Sequence, residues 1–553
     1  MKSKTSVLFL ACLLLMSGQI KKQASSQNNE KTSIKQRIAT TGNELKVITY
    51  LVGHGRIEGS LGTSVAGVGD INSDGFDDVI VGKPGKGAGE ALILFGGTKM
   101  DSIPDIILHG ENDGDNFGSN VTSGGDINGD SMGDFIVAAP GYPNRTAFGR
   151  IYIYWGGTKL DTLPDVTLTG EYKYDNFGFR ITAGKINEDN LNDLLITSIN
   201  YYFSDTCLVC GKSYLYFGSE ITSGLPAWTN QGDTSKTYLG AGVAIGDLNG
   251  DNRGDLLISS VPGASGKGAQ TITEIFLNSA QIDTLSDMFV VDSLYGNATD
   301  DILYSQDFNL DGFDDFITRH ESNLNIYYGN SLLDTIPDAK LTPWYLAGIN
   351  RLADAGDVNG DGYPDVFAGA WHVVFEGGSV GLYLGSSKIN SEVDWVTGGG
   401  GYSIDGAGDV NGDGYDDLIV SSLSSQLTNV ATGVVWILAG RPDLKDIGTK
   451  VETKLENIPP EDFKLFQNYP NPFKNETIFR FQQAQKFSKP VKLTIFDTTG
   501  KEVVTLVNQL LSAGEYNFKW NGTSQEGKEV TTGVYFSRLS IGQRQQVIKL
   551  IRL

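Results

Sequence analysis

A nine-residue acidic motif that recurs seven times is the feature that most constrains how this chain can fold. The first copy, DINSDGFDD, starts at Asp70, and the last, DVNGDGYDD, starts at Asp409. Successive copies start 56, 59, 62, 60, 50 and 52 residues apart. A nearly constant period of this length indicates a repeat architecture, in which each repeat is one supersecondary unit packed on its neighbours.

Each copy of the motif leads into a short apolar strand, as in VIVG after the first copy and LIVSS after the last. A glycine-bearing turn and a second strand follow, and a third strand often comes after a turn resembling DTLPD. With the strand that leads into the motif, a complete repeat has the four strands of a propeller blade, and seven blades lie within the usual range of about 4 to 8. The sequence therefore predicts an all-β fold with a seven-bladed β-propeller over residues 45–440.

The last repeat lacks its outermost strand, because WILAG passes directly into the charged segment RPDLKDIGTK. A spare strand, KVITYLVGHG at residues 46–55, precedes the first repeat. We expect this segment to pair into the last blade and close the ring, since an unclosed sheet would expose an unpaired edge.

The seven repeats resemble the FG-GAP repeats of integrin α-chain propellers. Phe117-Gly118 and Ala139-Pro140 nearly spell the name of the repeat, with DINGD between them. The resemblance covers residues 45–440 and implies a seven-bladed propeller with calcium-binding hairpin loops on one face. Two repeats depart from the Phe-Gly pair, with SLG at 60–62 and YLG at 238–240.

The acidic motif has the oxygen groups that Ca²⁺ prefers, because calcium takes six to eight oxygen ligands that a short loop can supply. Side chains at positions 1, 3, 5 and 9 and the backbone carbonyl at position 7 are the expected ligands. Position 6 needs a residue that tolerates positive φ, which Ser131 fits least well. The expected structural calcium ligands are Asp70, Asn72, Asp74, Phe76 and Asp78; Asp126, Asn128, Asp130, Met132 and Asp134; Asp247, Asn249, Asp251, Arg253 and Asp255; Asp307, Asn309, Asp311, Phe313 and Asp315; Asp357, Asn359, Asp361, Tyr363 and Asp365; and Asp409, Asn411, Asp413, Tyr415 and Asp417.

The acidic motif has two alternative interpretations. It could form solvated acidic turns that bind no ion, or it could form the calcium loop of an EF-hand. The EF-hand requires a bidentate Glu at position 12, where these repeats carry Val, Ile, Thr or Ala. The EF-hand is therefore excluded.

The third and fourth copies raise separate questions. In the third, Lys185 replaces the first aspartate, and we expect its ammonium to lie near Asp189 or Asp193 in place of an ion. The fourth contains the tripeptide Arg-Gly-Asp at 253–255. We expect Asp255 to face the ion, which would make it unavailable to an adhesion receptor.

The C-terminal hundred residues predict a second domain. After a linker at 441–462, the strands VKLTIFD, EVVTLV, EYNFKW and GVYFSRL alternate in polarity, which favours a small Ig-like β-sandwich over 463–553. NYPNPF, LTIFDTTGKEV and TTGVYFSRL resemble the C-terminal sorting domain of the type IX secretion system of Gram-negative bacteria. That resemblance implies export through the periplasm and delivery to, or release from, the cell surface by the secretion machinery. An ordinary Ig-like adhesion domain is the alternative.

The chain start predicts export. Lys2 and Lys4 precede an apolar run from Val7 to Met16 that is too short to span a bilayer, so residues 1–26 fit a signal peptide and processing region. No other segment is apolar enough to anchor the mature chain. In an oxidising compartment, Cys207 and Cys210 are expected to form a local disulfide.

Two classes of function remain open on the sequence. The first is a non-enzymatic adhesion or recognition module for an unknown protein or glycan; the second is a secreted polysaccharide- or ester-acting hydrolase or lyase with its site in the propeller channel. The net charge of −23 argues against nucleic acid as a partner. The four histidines, His54, His109, His320 and His372, are scattered among repeats, and the motif already uses most carboxylates. These observations favour the recognition module and provide no catalytic residues, although His372 departs from the repeat.

Overall fold

The structure is a computed structural model that describes residues 45–552 with internal gaps. The residues outside the description are 1–44, 54–59, 86, 201–209, 234–236, 262–269, 279–281, 283, 294–302, 321–322, 342–348, 350, 371–377, 388, 390, 399, 424–432, 445–462, 466–467, 469–470, 472, 484–489, 498–500, 512–513, 526, 542–543 and 553. The expected signal peptide, Cys207 and His372 therefore lie outside the described residues. The chain forms two compact units, the larger extending to Lys450 and the smaller made chiefly of Val451–Leu553.

Seven four-stranded antiparallel sheets make up the larger unit. The first strand of each sheet contacts the first strands of both neighbouring sheets, so these seven strands form a closed ring around a central axis. The strands are β1 Lys46–Val52; β2 Val65–Gly69, β3 Asp78–Lys83, β4 Glu90–Leu94, β5 Ile106–His109; β6 Asn120–Gly125, β7 Asp134–Ala139, β8 Arg150–Tyr154, β9 Val166–Thr169; β10 Phe177–Gly184, β11 Asp193–Ser198, β12 Lys212–Tyr216, β13 Trp228–Gln231; β14 Val243–Gly246, β15 Asp255–Ser260, β16 Gln270–Phe276, β17 Met288–Ser293; β18 Leu303–Gln306, β19 Asp315–His320, β20 Asn323–Tyr327, β21 Ala339–Leu341; β22 Arg351–Gly356, β23 Asp365–Ala370, β24 Ser379–Tyr383, β25 Trp395–Gly398; β26 Ile404–Gly408, β27 Asp417–Ser422 and β28 Val434–Ala439.

The predicted seven-bladed propeller is confirmed, including the way its ring closes. The last sheet has the order β1-β28-β27-β26, so the strand before the first repeat completes the last blade. β1 runs antiparallel to β28, with Tyr50 opposite Trp436 and Leu51 opposite Val435. Leu51 is buried within the core between the last and first blades.

The second strand of most blades is buried along its whole length, which explains its apolar sequence. β7, β11, β15, β23 and β27 are buried along their whole length. They lie between two strands of their own sheet and between two neighbouring sheets, and strands covered on both faces are continuously apolar. The core of the ring therefore consists of apolar layers between adjacent blades.

The departures from the Phe-Gly pair leave the fold intact. Leu61 and Leu239 are as deeply buried as Phe117, and the glycines that follow, Gly62 and Gly240, have positive φ like Gly118. The turn needs an apolar side chain and a residue free to adopt positive φ, and Leu-Gly supplies both.

The smaller unit is a sandwich of two antiparallel sheets, ordered β29-β30-β33 and β32-β31-β34-β35. Its core includes Phe479, Phe481, Leu493 and Trp520. The four predicted strands are present as β31 to β34, whereas β29, β30 and the terminal strand β35 were not predicted. The strands are β29 Phe463–Leu465, β30 Thr477–Gln483, β31 Val491–Asp497, β32 Glu502–Gln509, β33 Gly514–Trp520, β34 Gly533–Ile541 and β35 Arg544–Arg552.

Helical structure is confined, among the described residues, to one 3-10 helix at Gly218–Ser223. In the same part of the chain, no helix is long and apolar enough to cross a lipid bilayer. Cys210 is disulfide-bonded, while its expected partner Cys207 is not described.

Candidate metal centres

All seven acidic motifs form the hairpin loop from the first to the second strand of a blade, so they share one face of the ring. Position 9 of each loop is the first residue of the second strand. Positions 6 of all seven loops have positive φ, including Ser131 at 68° and Asn190 at 65°. The predicted left-handed bend is thus confirmed, even where the residue is not glycine.

The position-9 aspartates are completely buried and hold each hairpin to its own blade. In the last loop, Oδ2 of Asp417 accepts the N–H of Val410 at 3.1 Å, and Oδ1 accepts the N–H of Gly440 at 2.9 Å. Equivalent pairs of hydrogen bonds recur in the other six loops. The seven residues are Asp78, Asp134, Asp193, Asp255, Asp315, Asp365 and Asp417, each with 0% exposure.

Burial raises the pKa of these carboxyls and so favours their neutral, protonated form. Loss of hydration raises the pKa of Asp417 to about 7 and that of Asp365 to about 8, because the charged form is the one that water stabilises. The position-1 and position-5 carboxylates of the same loop add to the rise by repulsion. A divalent cation among these groups would reverse this effect by favouring the charged form.

The side chains of the position-1 aspartates accept hydrogen bonds from the backbone of their own loop. In the first loop, Oδ1 of Asp70 accepts the N–H of Asp74 at 3.0 Å, and Oδ2 accepts the N–H of Gly75 at 2.9 Å. The other five loops with aspartate at this position repeat the contact with the N–H of position 6. These bonds hold the position-1 carboxylates against the loop backbone.

Three aspartates that the sequence analysis did not single out join neighbouring loops. They occupy position 8, directly before the buried aspartate. Oδ2 of Asp77 accepts the N–H of Asp409 at 2.8 Å, which connects the first loop to the last. Asp314 and Asp416 bond the preceding loops in the same way. The Asp-Asp doublet is the sequence signal, but the partner N–H belongs to another repeat.

Aromatic residues at position 7 also contact the preceding loop. A Cβ added to Gly412 would lie 2.4 Å from Cε1 of Phe76, and one added to Gly360 would lie 2.5 Å from Cε1 of Tyr415. Glycine is therefore required at position 4 of these loops for two reasons. A side chain there would clash with the aromatic side chain of the neighbouring loop, and the backbone has positive φ.

The donor chemistry of six loops fits calcium. Each offers three carboxylates, an amide oxygen and a backbone carbonyl, the hard oxygen set that this ion prefers. In the first loop, Oδ1 of Asn72 is buried without a hydrogen-bond partner, as expected of a group placed for a ligand. Within the described residues, however, no three acidic, His or Cys side chains converge at metal-binding distance. The carboxylates instead bond backbone N–H groups, so they would have to turn inward on an ion.

The expected position of Lys185 is wrong. Its side chain is exposed, and among the described ion pairs it makes none with Asp189 or Asp193. The two oxygens of Asp193 accept the N–H groups of Ile186 and Gly218 at 3.0 and 2.8 Å, as those of the other position-9 aspartates do in their loops. The third loop thus lacks the first carboxylate without gaining a local substitute for an ion.

We predict that Lys185→Asp adds one calcium per molecule. Asn187, Asp189 and Asp193 already occupy positions 3, 5 and 9, so the change restores the full donor set and removes a repelling cation. Atomic absorption on the dialysed protein should show one more calcium than in the native chain, and Asp357→Lys should show one fewer. An unchanged count in a folded Lys185→Asp variant would mean that the ligand positions are misassigned.

The tripeptide at 253–255 is built into the fold. Asp255 is fully buried and accepts the N–H groups of Leu248 and Asn278. Arg253 pairs with Glu188 of the neighbouring loop at 2.6 Å. The prediction that Asp255 is unavailable to a receptor is confirmed.

The central axis holds a second acidic group that the sequence analysis missed. Asp354 on β22 and Asp405 on β26 lie on adjacent inner strands, beside Tyr304 on β18. Removal from water raises the pKa of Asp405 well above its usual value, and the Asp354 carboxylate adds to the rise. Oδ2 of Asp405 also accepts the N–H of Gly67 at 3.3 Å, which joins the last blade to the first.

Comparison with known families gives matches in both units. FG-GAP repeat matches cover residues 61–94, 117–154 and 400–438. The β-propeller of the larger unit therefore contains segments that match the FG-GAP repeat. A FlgD Ig-like domain match covers residues 469–541, in agreement with the predicted Ig-like sandwich.

Individual relatives align over short regions. Integrin alpha-5 of Xenopus laevis is 33% identical over 143 residues, which is 24% of this chain and 13% of the integrin. Phosphatidylinositol-glycan-specific phospholipase D of Mus musculus is 31% identical over 166 residues, 28% of this chain and 20% of the enzyme. Among solved structures, BBS1N in complex with ARL6DN, soaked with lead, has a TM-score of 0.42 at 10% identity, covering 71% of this chain and 97% of that chain.

Proposed function

We propose that this chain is a secreted or cell-surface recognition module whose FG-GAP propeller is stabilised by calcium and binds a protein or glycan. The observation that carries the proposal is the structural use of the acidic repeat. The position-1 and position-9 carboxylates are bonded to loop backbone, so the most abundant reactive groups of the chain serve the scaffold. The loops at the other face lie outside the acidic motif, and binding residues are commonly carried by surface loops.

The relatives support a shared module and not a shared activity. An integrin chain and a phospholipase D align with similar identity, yet each alignment covers no more than 28% of this chain. Proteins with such different names share the repeat, so the repeat itself specifies neither adhesion nor hydrolysis. The expected signal peptide and the extracellular setting of an integrin favour export for this chain.

We further propose that residues 463–553 direct the chain through the type IX secretion system. The support is the sequence resemblance together with a separately folded Ig-like sandwich that has its own core. We predict that deletion of 463–553 leaves a folded propeller that accumulates in the periplasm, because only the sorting signal is lost. Cell fractionation with melting of the purified fragment tests this, and normal surface delivery of the truncated chain would refute it.

A binding screen tests the recognition function. Purified protein is applied to glycan and protein arrays with calcium and again after chelation. We expect calcium-dependent retention of a defined ligand without turnover. Failure to bind any ligand while the calcium-loaded protein is folded would contradict the proposal.

One observation favours a hydrolase or lyase as a second candidate. The Asp354 and Asp405 carboxyls adjoin at the channel, where burial favours a protonated acid, and paired carboxyls carry out glycoside hydrolysis in many enzymes. Polysaccharide turnover that disappears in Asp354→Asn would establish this function. The bond from Gly67 to Asp405 supports instead a role in holding the ring together.

A further inference from the structure

One surface segment departs from its repeat in a way the fold does not require. Residues 110–118, GENDGDNFG, and 170–178, GEYKYDNFG, occupy equivalent places before the Phe-Gly turns of two successive blades. They agree at every position except the three in the middle. There, Asn-Asp-Gly in the first becomes Tyr172-Lys173-Tyr174 in the second.

The two segments have the same backbone. Oδ2 of Asp115 accepts the N–H of Asn112 at 2.9 Å, and Oδ2 of Asp175 accepts the N–H of Tyr172 at 2.8 Å. Gly114 has φ of 88° and Tyr174 has φ of 74°. A tyrosine in this left-handed conformation is strained where glycine would not be, and such strain persists mainly where it serves a function.

The three replacing side chains are all exposed. Tyr172 is 51% and Tyr174 is 58% exposed, so neither ring is held in the core. Lys173 is also exposed, and its Nζ lies 4.8 Å from the centre of the Tyr174 ring. Buried packing therefore does not explain the tyrosines.

A second unusual segment lies against the first. The loop at 141–149 places Asn144, Arg145 and Ala147 at positive φ. Its backbone contacts the tyrosine segment, since the N–H of Tyr174 donates to the carbonyl of Thr146 at 3.1 Å. Asn144 and Arg145 are exposed in the same loop, where the Arg145 side chain lies against Gly114 of the preceding segment. We call Asn144, Arg145, Tyr172, Lys173 and Tyr174 the tyrosine patch.

The patch is cationic within a chain of net charge −23. Two glutamates in these segments are paired with cations: Glu111 with Arg150 and Glu171 with Lys212, each at 2.7 Å. Asp115 and Asp175 are buried and accept the N–H groups of Asn144 and Tyr172. Among the described ion pairs, none involves Arg145 or Lys173. The patch also lies on the face opposite the acidic loops, because connections from strand two to three and from strand four to one leave a blade at the other end.

We propose that the tyrosine patch binds an anionic oligosaccharide, which would be the ligand class of the proposed recognition function and rests on that function. Exposed tyrosine rings present flat apolar faces and a hydroxyl at little entropic cost, which suits the C–H face of a sugar ring. Arg145 and Lys173 supply the positive charge for a carboxylate or sulfate. A protein partner is disfavoured because a stable protein interface buries about 800 Å² per partner around an apolar centre, and this patch is small and polar.

The test measures binding by calorimetry to three probes: an oligogalacturonate, a chondroitin sulfate oligosaccharide and a neutral oligosaccharide of similar length. The native chain should bind at least one anionic probe, with an affinity that falls as salt is added, and should bind the neutral probe at least tenfold more weakly. The two anionic probes distinguish carboxylate from sulfate recognition. A native chain that binds neither anionic probe overturns the proposal.

The decisive variant has the residues of the preceding blade at positions 172–174, through the triple substitution Tyr172→Asn, Lys173→Asp and Tyr174→Gly. Anionic binding should fall at least tenfold while the melting temperature stays the same or rises, because glycine relieves the positive φ. Tyr50→Ala, which removes a ring of similar exposure (54%) from β1, should leave binding unchanged. If the triple variant still binds the anionic probe, the patch assignment is wrong while the recognition function stands; if no array ligand binds either, the recognition function fails too.

Discussion

Removal of calcium is expected to lower the melting temperature of the propeller, and the loss should be larger at pH 8 than at pH 5. An ion that binds only the native state stabilises it by mass action, about 2.7 kcal/mol per site at a hundredfold excess over its dissociation constant. Six loops carry the complete donor set, from Asp70 to Asp417. Their losses should therefore add to a fall of many degrees.

The pH dependence follows from the buried position-9 carboxyls. In the ion-free chain, burial raises the pKa of Asp417 to about 7 and that of Asp365 to about 8, against about 3.9 in the unfolded chain. Between these values the folded state binds more protons than the unfolded state. Stability is thus greatest near pH 4 and declines as pH rises through the folded pKa, by about 1.4 kcal/mol per pH unit for each carboxyl.

Bound calcium should remove this decline, because its charge takes the place of the proton. Thermal melts of protein stripped on a chelating resin, at pH 5 to 8 with and without added calcium, measure both effects. Asp417→Asn should flatten part of the slope, whereas Asp105→Asn, an exposed backbone-bonding aspartate outside the loops, should not. Superimposed melts at pH 8 would show that these loops do not depend on calcium.

The propeller architecture could be predicted from the sequence because the motif that defines each blade recurs at a nearly constant period. The seven loops and the strands after them recur at nearly fixed spacing, and the spare strand at 46–55 had one vacant place to fill. β29, β30 and β35 were not predicted, although the sequence Gly542-Gln543 between β34 and β35 is a two-residue, glycine-bearing signal of a β-hairpin.

What the sequence did not predict depends on contacts between repeats. The bond from Asp77 to Asp409 joins residues 332 positions apart, and the Asp354–Asp405 pair depends on the register of two inner strands. The expected pairing of Lys185 was wrong because ligand spacing does not reveal that Asp193 is fully bonded to backbone. Part of the tyrosine patch, by contrast, could be found from the sequence, because aligning GENDGDNFG with GEYKYDNFG isolates residues 172–174.

Deletion of Lys46–Val52 is expected to abolish cooperative folding of the propeller. β28 would lose its outer partner along its whole length, and the core between the last and first blades would lose Leu51. The exposed edge of β28 would then be free to pair with other chains. The deletion should therefore produce aggregation or a broad, low-temperature transition in calorimetry and size-exclusion chromatography.

Point substitutions within β1 should separate packing from pairing. Leu51→Ala removes a side chain that is 5% exposed and should cost about 2 to 5 kcal/mol. Tyr50→Ala on the opposite face, 54% exposed, should change stability by about 0.5 kcal/mol or less. Equal effects of the two changes would mean that β1 does not pack as described.

Moving the strand distinguishes loss of the strand from loss of a particular chain start. In blade two, the segment WGGTKLDTLPD connects β8 to β9. Placing this segment and then residues 46–52 directly after Ala439 lets the last blade form from consecutive strands, as blades one to six do. This permuted chain should recover cooperative melting, because the ring needs the fourth strand in place and does not need it to come from the other end. Failure of the permuted chain to fold, with the deletion also unfolded, would show that closure by a strand from the chain start is itself required.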